Sequence, residues 1–198
     1  AELQTEADYP HNGLSGLAWH PDGNLVFALG ENFWKSWTLT GSDKKTIVGT
    51  GEGGIFRCNP QGKSLTRIAK GSWNPFGVCV RQDGTIFAAE NDPGARPPCR
   101  LIHVVEGGNY GYQRHYGNAA FHPFVCWDGE LRGTLPMLHS IAEAPCGIAP
   151  LGNGLIVPSW TDHRIDFYLL QSDGASFKSR QVPLVRGRKH FKPTRITQ

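Results

Sequence analysis

The stretch GVCVRQDGTIFAAEND, residues 77–92, decides the fold. Two apolar-alternating runs flank Asp83-Gly84, a strong hairpin signal because both turn positions tolerate a positive φ. The pattern occurs twice more, as GLAWHPDGNLVFALGE at residues 16–31 and GIAPLGNGLIVPSWTD at residues 147–162. Aligned on their first glycine, the copies place Asp22-Gly23, Asp83-Gly84 and Asn153-Gly154 at one offset. A second hairpin follows each copy. GGIFRCN, PQGK and SLTRIAKG follow the first, RLIHVVEGGNYGY the second, and HRIDFYLLQSDGASFKSRQVPLVRG the third. The unit is four strands recurring at roughly 50–70 residues, which suits propeller blades better than smaller solenoid repeats.

Pro75-Phe76-Gly77 and Pro145-Cys146-Gly147 lead into their innermost strands through the same P-x-G, and Pro193-Thr194-Arg195 repeats the position with Arg for glycine. A fourth blade is therefore expected to begin near the end of the chain. The expectation is one all-β domain over residues 1–198, an incomplete propeller of about four blades. Its units start near residues 11, 73, 143 and 191, and an aromatic insertion spans 110–140. A β-sandwich or β-solenoid is the alternative, against which the four-strand unit and its regular lead-in weigh.

Composition agrees. Gly 25 and Pro 14 with few helix-favouring runs mark a turn-rich β domain. The net charge of +3 is interspersed. The single basic run, RGRKHFKPTR, reads as a solvated loop, so no nucleic-acid partner is expected. No apolar run approaches the ~20 residues of a membrane helix, so no direct membrane insertion by this segment is expected. The opening AELQTEADYPHNG lacks a signal-peptide pattern. Cys58, Cys79, Cys99, Cys126 and Cys146 show no C-x-x-C spacing. Cys79 reads as a buried inert thiol, while Cys99 and Cys146 lie in loops where they could pair outside the cytoplasm.

In a propeller, the loops leading into the innermost strands and those leaving the second strands open on one face. The first set carries His11-Asn12, Trp73-Asn74, Glu143-Ala144 and Lys192. The second carries Glu31-Asn32, Glu90-Asn91-Asp92-Pro93 and Trp160-Thr161-Asp162-His163-Arg164. A lone histidine in such a loop is more often a surface or hydrogen-bonding residue than a base. Glu31 raises the odds for His11, because a carboxylate at the nearest strand end orients and charge-stabilises an imidazole. Asp92-Pro93 offers carbonyl and carboxylate oxygens to a hard cation such as calcium, or is a proline-rich turn with Asp as its initiator. A metal hydrolase would instead need clustered acids, for which Glu31, Glu90, Asp92 and Glu143 are the candidates. NYGYQRHYGNAAFHPFVCWDGELRGTLPM, residues 109–137, departs from the repeat and is rich in aromatic groups. Those groups suit stacking on sugar faces or a flat cofactor, or form the core of a long packed loop.

Residues 74–112, NPFGVCVRQDGTIFAAENDPGARPPCRLIHVVEGGNYGY, resemble the middle blades of the soluble PQQ-dependent glucose/sorbosone dehydrogenases. GEGGIFRCNP, HPF, GTLPM, EAPCG, DHRI and GASF extend the likeness over nearly the whole chain and are closer to the PVC-type membrane-bound dehydrogenase domains, relatives of that superfamily. The resemblance implies a six-bladed propeller, about four blades of it present, that oxidises a sugar or alcohol by hydride transfer to a quinone. PQQ and Ca2+ are the implied cofactors, an electron-acceptor protein the implied partner, and the periplasm or another extracytoplasmic space the implied location. By the same resemblance, the base falls on His11 and its orienting acid on Glu31. Calcium falls on the Asn91-Asp92-Pro93 loop, with Asp92 and Pro93 as the metal residues. Cofactor contacts fall on Trp73, Asn74, Asn91, Trp160 and Thr161. Trp73 stands where the resembling enzymes keep an arginine, and Trp160-Thr161 where they keep a lysine. A non-catalytic propeller that binds carbohydrate or a protein partner is the alternative function.

Overall fold

The computed structural model describes residues 1–7, 13–32, 35–91, 99–112 and 126–196. In chain order, β1 (Glu2–Thr5) precedes β2 (Leu14–Trp19) and β3 (Leu25–Leu29). A hairpin of β4 (Ser36–Thr40) and β5 (Thr46–Thr50) follows, then β6 (Gly53–Cys58) and β7 (Thr66–Ser72). Next come β8 (Asn74–Val80), β9 (Ile86–Asn91), β10 (Cys99–Val104) and β11 (His139–Ile141). The last four strands are β12 (Ala149–Leu151), β13 (Gly154–Ser159), β14 (Arg164–Asp173) and β15 (Ser176–Arg186).

Three four-stranded antiparallel sheets result, ordered β2-β3-β6-β7, β8-β9-β10-β11 and β12-β13-β14-β15. They are the repeated units and have the strand order of propeller blades. Alternation along each strand explains how they stack, since successive side chains point to opposite faces. Val26 and Ala28 join Val78, Ile86 and Ala88 in a core between the first and second sheets. Phe87 and Ala89, one residue out of phase, join Leu101, Leu155, Val157 and Tyr168 between the second and third.

The P-x-G glycines act where the innermost strands meet. A Cβ on Gly16 would come within 2.9 Å of the Val78 nitrogen, and one on Gly77 within 2.8 Å of the Gly147 Cα. Gly147 in turn lies beside Ile196. Side chains at Gly16 and Gly77 would force the sheets apart.

Four details differ from the sequence expectations. The third inner hairpin turns at Gly152-Asn153, with Leu151 opposite Gly154. Gly152 takes the positive φ (54°), while Gly154 sits in the strand, where a Cβ would strike Phe167. The segment GGNYGY does not form the outer strand of the second sheet, a place taken by β11. It runs instead along β7 of the first sheet, with Tyr110 N–H donating to the Lys70 carbonyl (2.9 Å) and Tyr112 N–H to that of Gly71 (2.9 Å). Gly71, at φ 80°, permits this approach because a Cβ there would collide with Asn109 and Gly111. The hairpin β4–β5, unforeseen between the second and third strands of the first unit, joins β1 in a sheet of its own. Trp37 and Leu39 fasten that sheet onto Phe27, Leu29 and Phe56, the opposite face of the first blade. Finally, residues 187–196, where a fourth unit is expected to start, hold no strand.

The five cysteines are free thiols, and Cys99 and Cys146 do not pair. Among the described residues, no helix is long and apolar enough to cross a membrane.

Candidate functional site

The loops at one end of the sheets converge as the repeat requires. The Glu31 N–H donates to the Trp73 carbonyl at 2.5 Å, joining the loop that leaves β3 to the one leading into β8. Glu31 is 1% exposed, and the Tyr112 hydroxyl donates to its Oε1 at 2.7 Å. The Tyr112 ring lies over the buried Trp73 indole, with centroids 5.7 Å apart and planes tilted by 31°. Tyr112 reaches this position because the GGNYGY segment crosses to β7.

Beneath Trp73 stands a second buried carboxylate. Glu90 accepts the Trp73 backbone N–H and pairs with Arg100, its cross-strand neighbour in β10. Arg100 Nε donates to Glu90 Oε2 at 2.5 Å, and Nη1 donates to the carbonyls of Tyr110 (2.7 Å) and Cys126 (2.5 Å). Burial pushes the Glu90 carboxyl up, while the guanidinium and the backbone N–H groups of Trp73 and Asn74 pull it down. This ion pair clamps both sides of the aromatic insertion to the second blade.

A separate cluster spans the second and third blades. Cys99 Sγ donates to Asn91 Oδ1 (3.4 Å) and Glu143 Oε2 (3.6 Å). Asp162 accepts the Glu143 N–H at 3.1 Å, and Trp160 N–H donates to the Ala144 carbonyl at 3.0 Å. Trp160 is 44% exposed, and Lys192 holds its ammonium 3.7 Å from the indole centroid. Thr161 is exposed beside it. Elsewhere, burial pushes the Cys79 thiol up to about 12 and also raises that of Cys146, so neither is a ready thiolate.

Of the residues singled out from sequence, the structure links Glu31 to Trp73, and Trp73 to Asn74 through Glu90. It sets Trp160 and Thr161 on the next blade, and ties Asn91 by its side chain to Cys99. His11, Asp92 and Pro93 lie outside the described residues. Sequence reasoning missed Arg100, whose signal was a charged residue in an otherwise apolar strand, CRLIHV. It also missed the pairing of Lys192 with Trp160.

A quinone cofactor finds a partial match in these residues. Asn74 is buried with no hydrogen-bond partner for its Oδ1 among the described residues, an acceptor suited to a ring N–H or hydroxyl. Trp160 and Lys192 offer a flat surface and a cation to a polyanionic ring system. An electrophile for quinone oxygens is not supplied by the buried guanidinium nearby, because Arg100 is committed to Glu90. Among the described residues, no three His, Cys, Asp or Glu side chains group as a metal site.

No family model and no curated protein matches the chain. Solved structures do. The fold matches a Thermus thermophilus oxidoreductase (glucose dehydrogenase) over 93% of this chain and 56% of that one, with TM-score 0.67 and 18% identity. A second glucose dehydrogenase matches over 85% and 53% of the two chains, with TM-score 0.58 and 19% identity. The PQQ-bound aldose sugar dehydrogenase of Streptomyces coelicolor matches over 91% and 71%, with TM-score 0.54 and 15% identity. The chain spans about half the length of the first two relatives. Its fold is the fold of these dehydrogenases, at remote similarity.

Proposed function

We propose that the chain belongs to a glucose/sorbosone dehydrogenase-like oxidoreductase acting on a sugar or another alcohol. The observation that carries this reading is Glu31, a carboxylate driven into burial at the end of β3 and held there by the Tyr112 phenol. Keeping a carboxylate out of water is costly, and such sites commonly serve to position a base. His11 is that base in our reading, taking the substrate hydroxyl proton, with Glu31 orienting the imidazole and stabilising its charge. A bound pyrroloquinoline quinone would supply the hydride acceptor, with calcium at Asp92 and Pro93 and the backbone of Asn91. Asn74, Trp160, Thr161 and Lys192 would bind and orient the cofactor, and Trp73 would close its edge. The PVC-type relationship, the six-bladed ring, an extracytoplasmic location and an electron-acceptor protein belong to the same reading and rest on the sequence motifs.

The exposed Trp160 favours a second reading, a non-catalytic propeller that binds carbohydrate by stacking. Spectral titration with PQQ and calcium separates the two. Under the first, a bound-quinone spectrum is expected at micromolar cofactor, and His11→Ala abolishes sugar-dependent turnover with an unchanged circular dichroism spectrum. Sugar binding without quinone binding would establish the second.

A further inference from the structure

The β4–β5 hairpin ends in a strand edge with the chemistry of a self-pairing surface. Lys45 O accepts from Gly41 N–H (2.8 Å), and Gly51 N–H donates to Lys35 O (3.0 Å), which sets the phase of the β4–β5 ladder. In that phase Ile47 and Gly49 bond to Leu39 and Trp37, and the backbone groups of Thr46, Val48 and Thr50 turn to an edge that no described strand pairs, where the Thr50 carbonyl also accepts the Glu52 N–H (3.0 Å). Those three residues are exposed, Val48 to 68%. Nothing within Thr46–Thr50 blunts the edge, which has no charge, no proline and no bulge.

The charges lie just outside the strand, and their placement selects one pairing. Lys44 and Lys45 precede it, and Glu52 follows it. A parallel in-register neighbour would set lysines against lysines. An antiparallel neighbour centred on Val48 sets Thr46 opposite Thr50 and brings Lys44 towards Glu52 at both ends. Glu52 meets Arg67 at 3.4 Å through Oε1, and Lys70 of the same chain also acts on it. Val48 then bonds to Val48 across a two-fold axis, the self-complementary arrangement of an isologous dimer.

We infer that this edge pairs with β5 of a second copy of the chain, in antiparallel register about Val48. One five-residue strand edge buries little area, so the dimer is weak and concentration-dependent.

Sedimentation velocity across about a hundredfold dilution tests the inference. The chain should pass from twice its 21.8 kDa mass to the monomer mass as it is diluted. Val48→Pro removes an outward N–H that β4 does not use, and should leave a folded monomer. Should that variant misfold, Val48→Lys places like charges on the axis and must give the same result. Lys44→Glu and Glu52→Lys should each weaken self-association about tenfold. Mixed together they should recover it, because each mismatched end then meets its opposite. A monomer at every concentration overturns the proposal. So does a Val48 variant that dimerises like the parent, or a mixture no more associated than its components.

Discussion

Glu31 and Glu90 lie near the ends of the second strands in adjacent blades, Glu31 two residues beyond β3 and Glu90 within β9, and both are buried. They are held by different means. Glu90 is closed in by a guanidinium and two backbone N–H groups, all from its own blade or the loop leading into it. Glu31 is held by a phenol that arrives from the second blade along β7. The first arrangement resembles a structural rivet, satisfied within one repeat. The second depends on the excursion that breaks the repeat, and buries a carboxylate just beyond the end of β3. The repeat builds the frame, and departures from it build the site.

The comparison can be broken most forcefully at Arg100. Arg100→Met leaves the Glu90 carboxylate buried without its counter-ion, at an expected cost of about 3–5 kcal/mol by urea unfolding. A loss below about 1 kcal/mol would mean that the backbone N–H groups alone satisfy Glu90. Tyr112→Phe is expected to cost less stability, roughly 1–3 kcal/mol, since it removes one hydrogen bond to a carboxylate. Under the proposed function it should also lower turnover more than Arg100→Met does per unit of stability lost. Equal sensitivity at the two positions would erase the distinction between rivet and site.

The smallest effect concerns an exposed carboxylate that serves as a reference for both. The Asn24 backbone N–H at the hairpin turn, which donates to Asp22 Oδ1 at 2.9 Å, lowers the Asp22 pKa from 3.8 to about 2. A depressed carboxyl pKa contributes stability above the unfolded value, and that stability is lost as pH falls through the folded value. Melting temperature should therefore decline slightly as pH falls from 3.8 towards 2, and Asp22→Asn should flatten that decline.

The blades were legible because local rules suffice for them. Asp22-Gly23 and Asp83-Gly84 mark turns by φ tolerance alone, and strand alternation assigns Phe87 and Ala88 to opposite faces without knowledge of the partners. The third turn slipped by one residue because Gly152 and Gly154 flank Asn153, and only packing against Phe167 decides between them. The β4–β5 hairpin escaped notice because its amphipathic strand, SWTLT, fits no place in a four-strand count. GGNYGY was misplaced for a non-local reason, as its partner is Gly71 in the preceding blade. Glu31 was picked out by its position next to His11 in the repeat. Arg100 was not, because its role becomes visible only when the β9–β10 register sets it opposite Glu90.

The close approach at Gly16, Gly77 and Gly147 bears on how such a protein can diversify. Where backbones touch, the spacing of the innermost strands is set by atoms common to all amino acids and is closed to gradual adjustment by side-chain size. The residue just before each glycine differs among the blades: it is Ser15, whose hydroxyl donates to the Pro75 carbonyl of the next blade (3.0 Å), Phe76, which is 44% exposed, and Cys146. New binding preferences can therefore arise by exchanging those neighbours while the distance between blades stays constant.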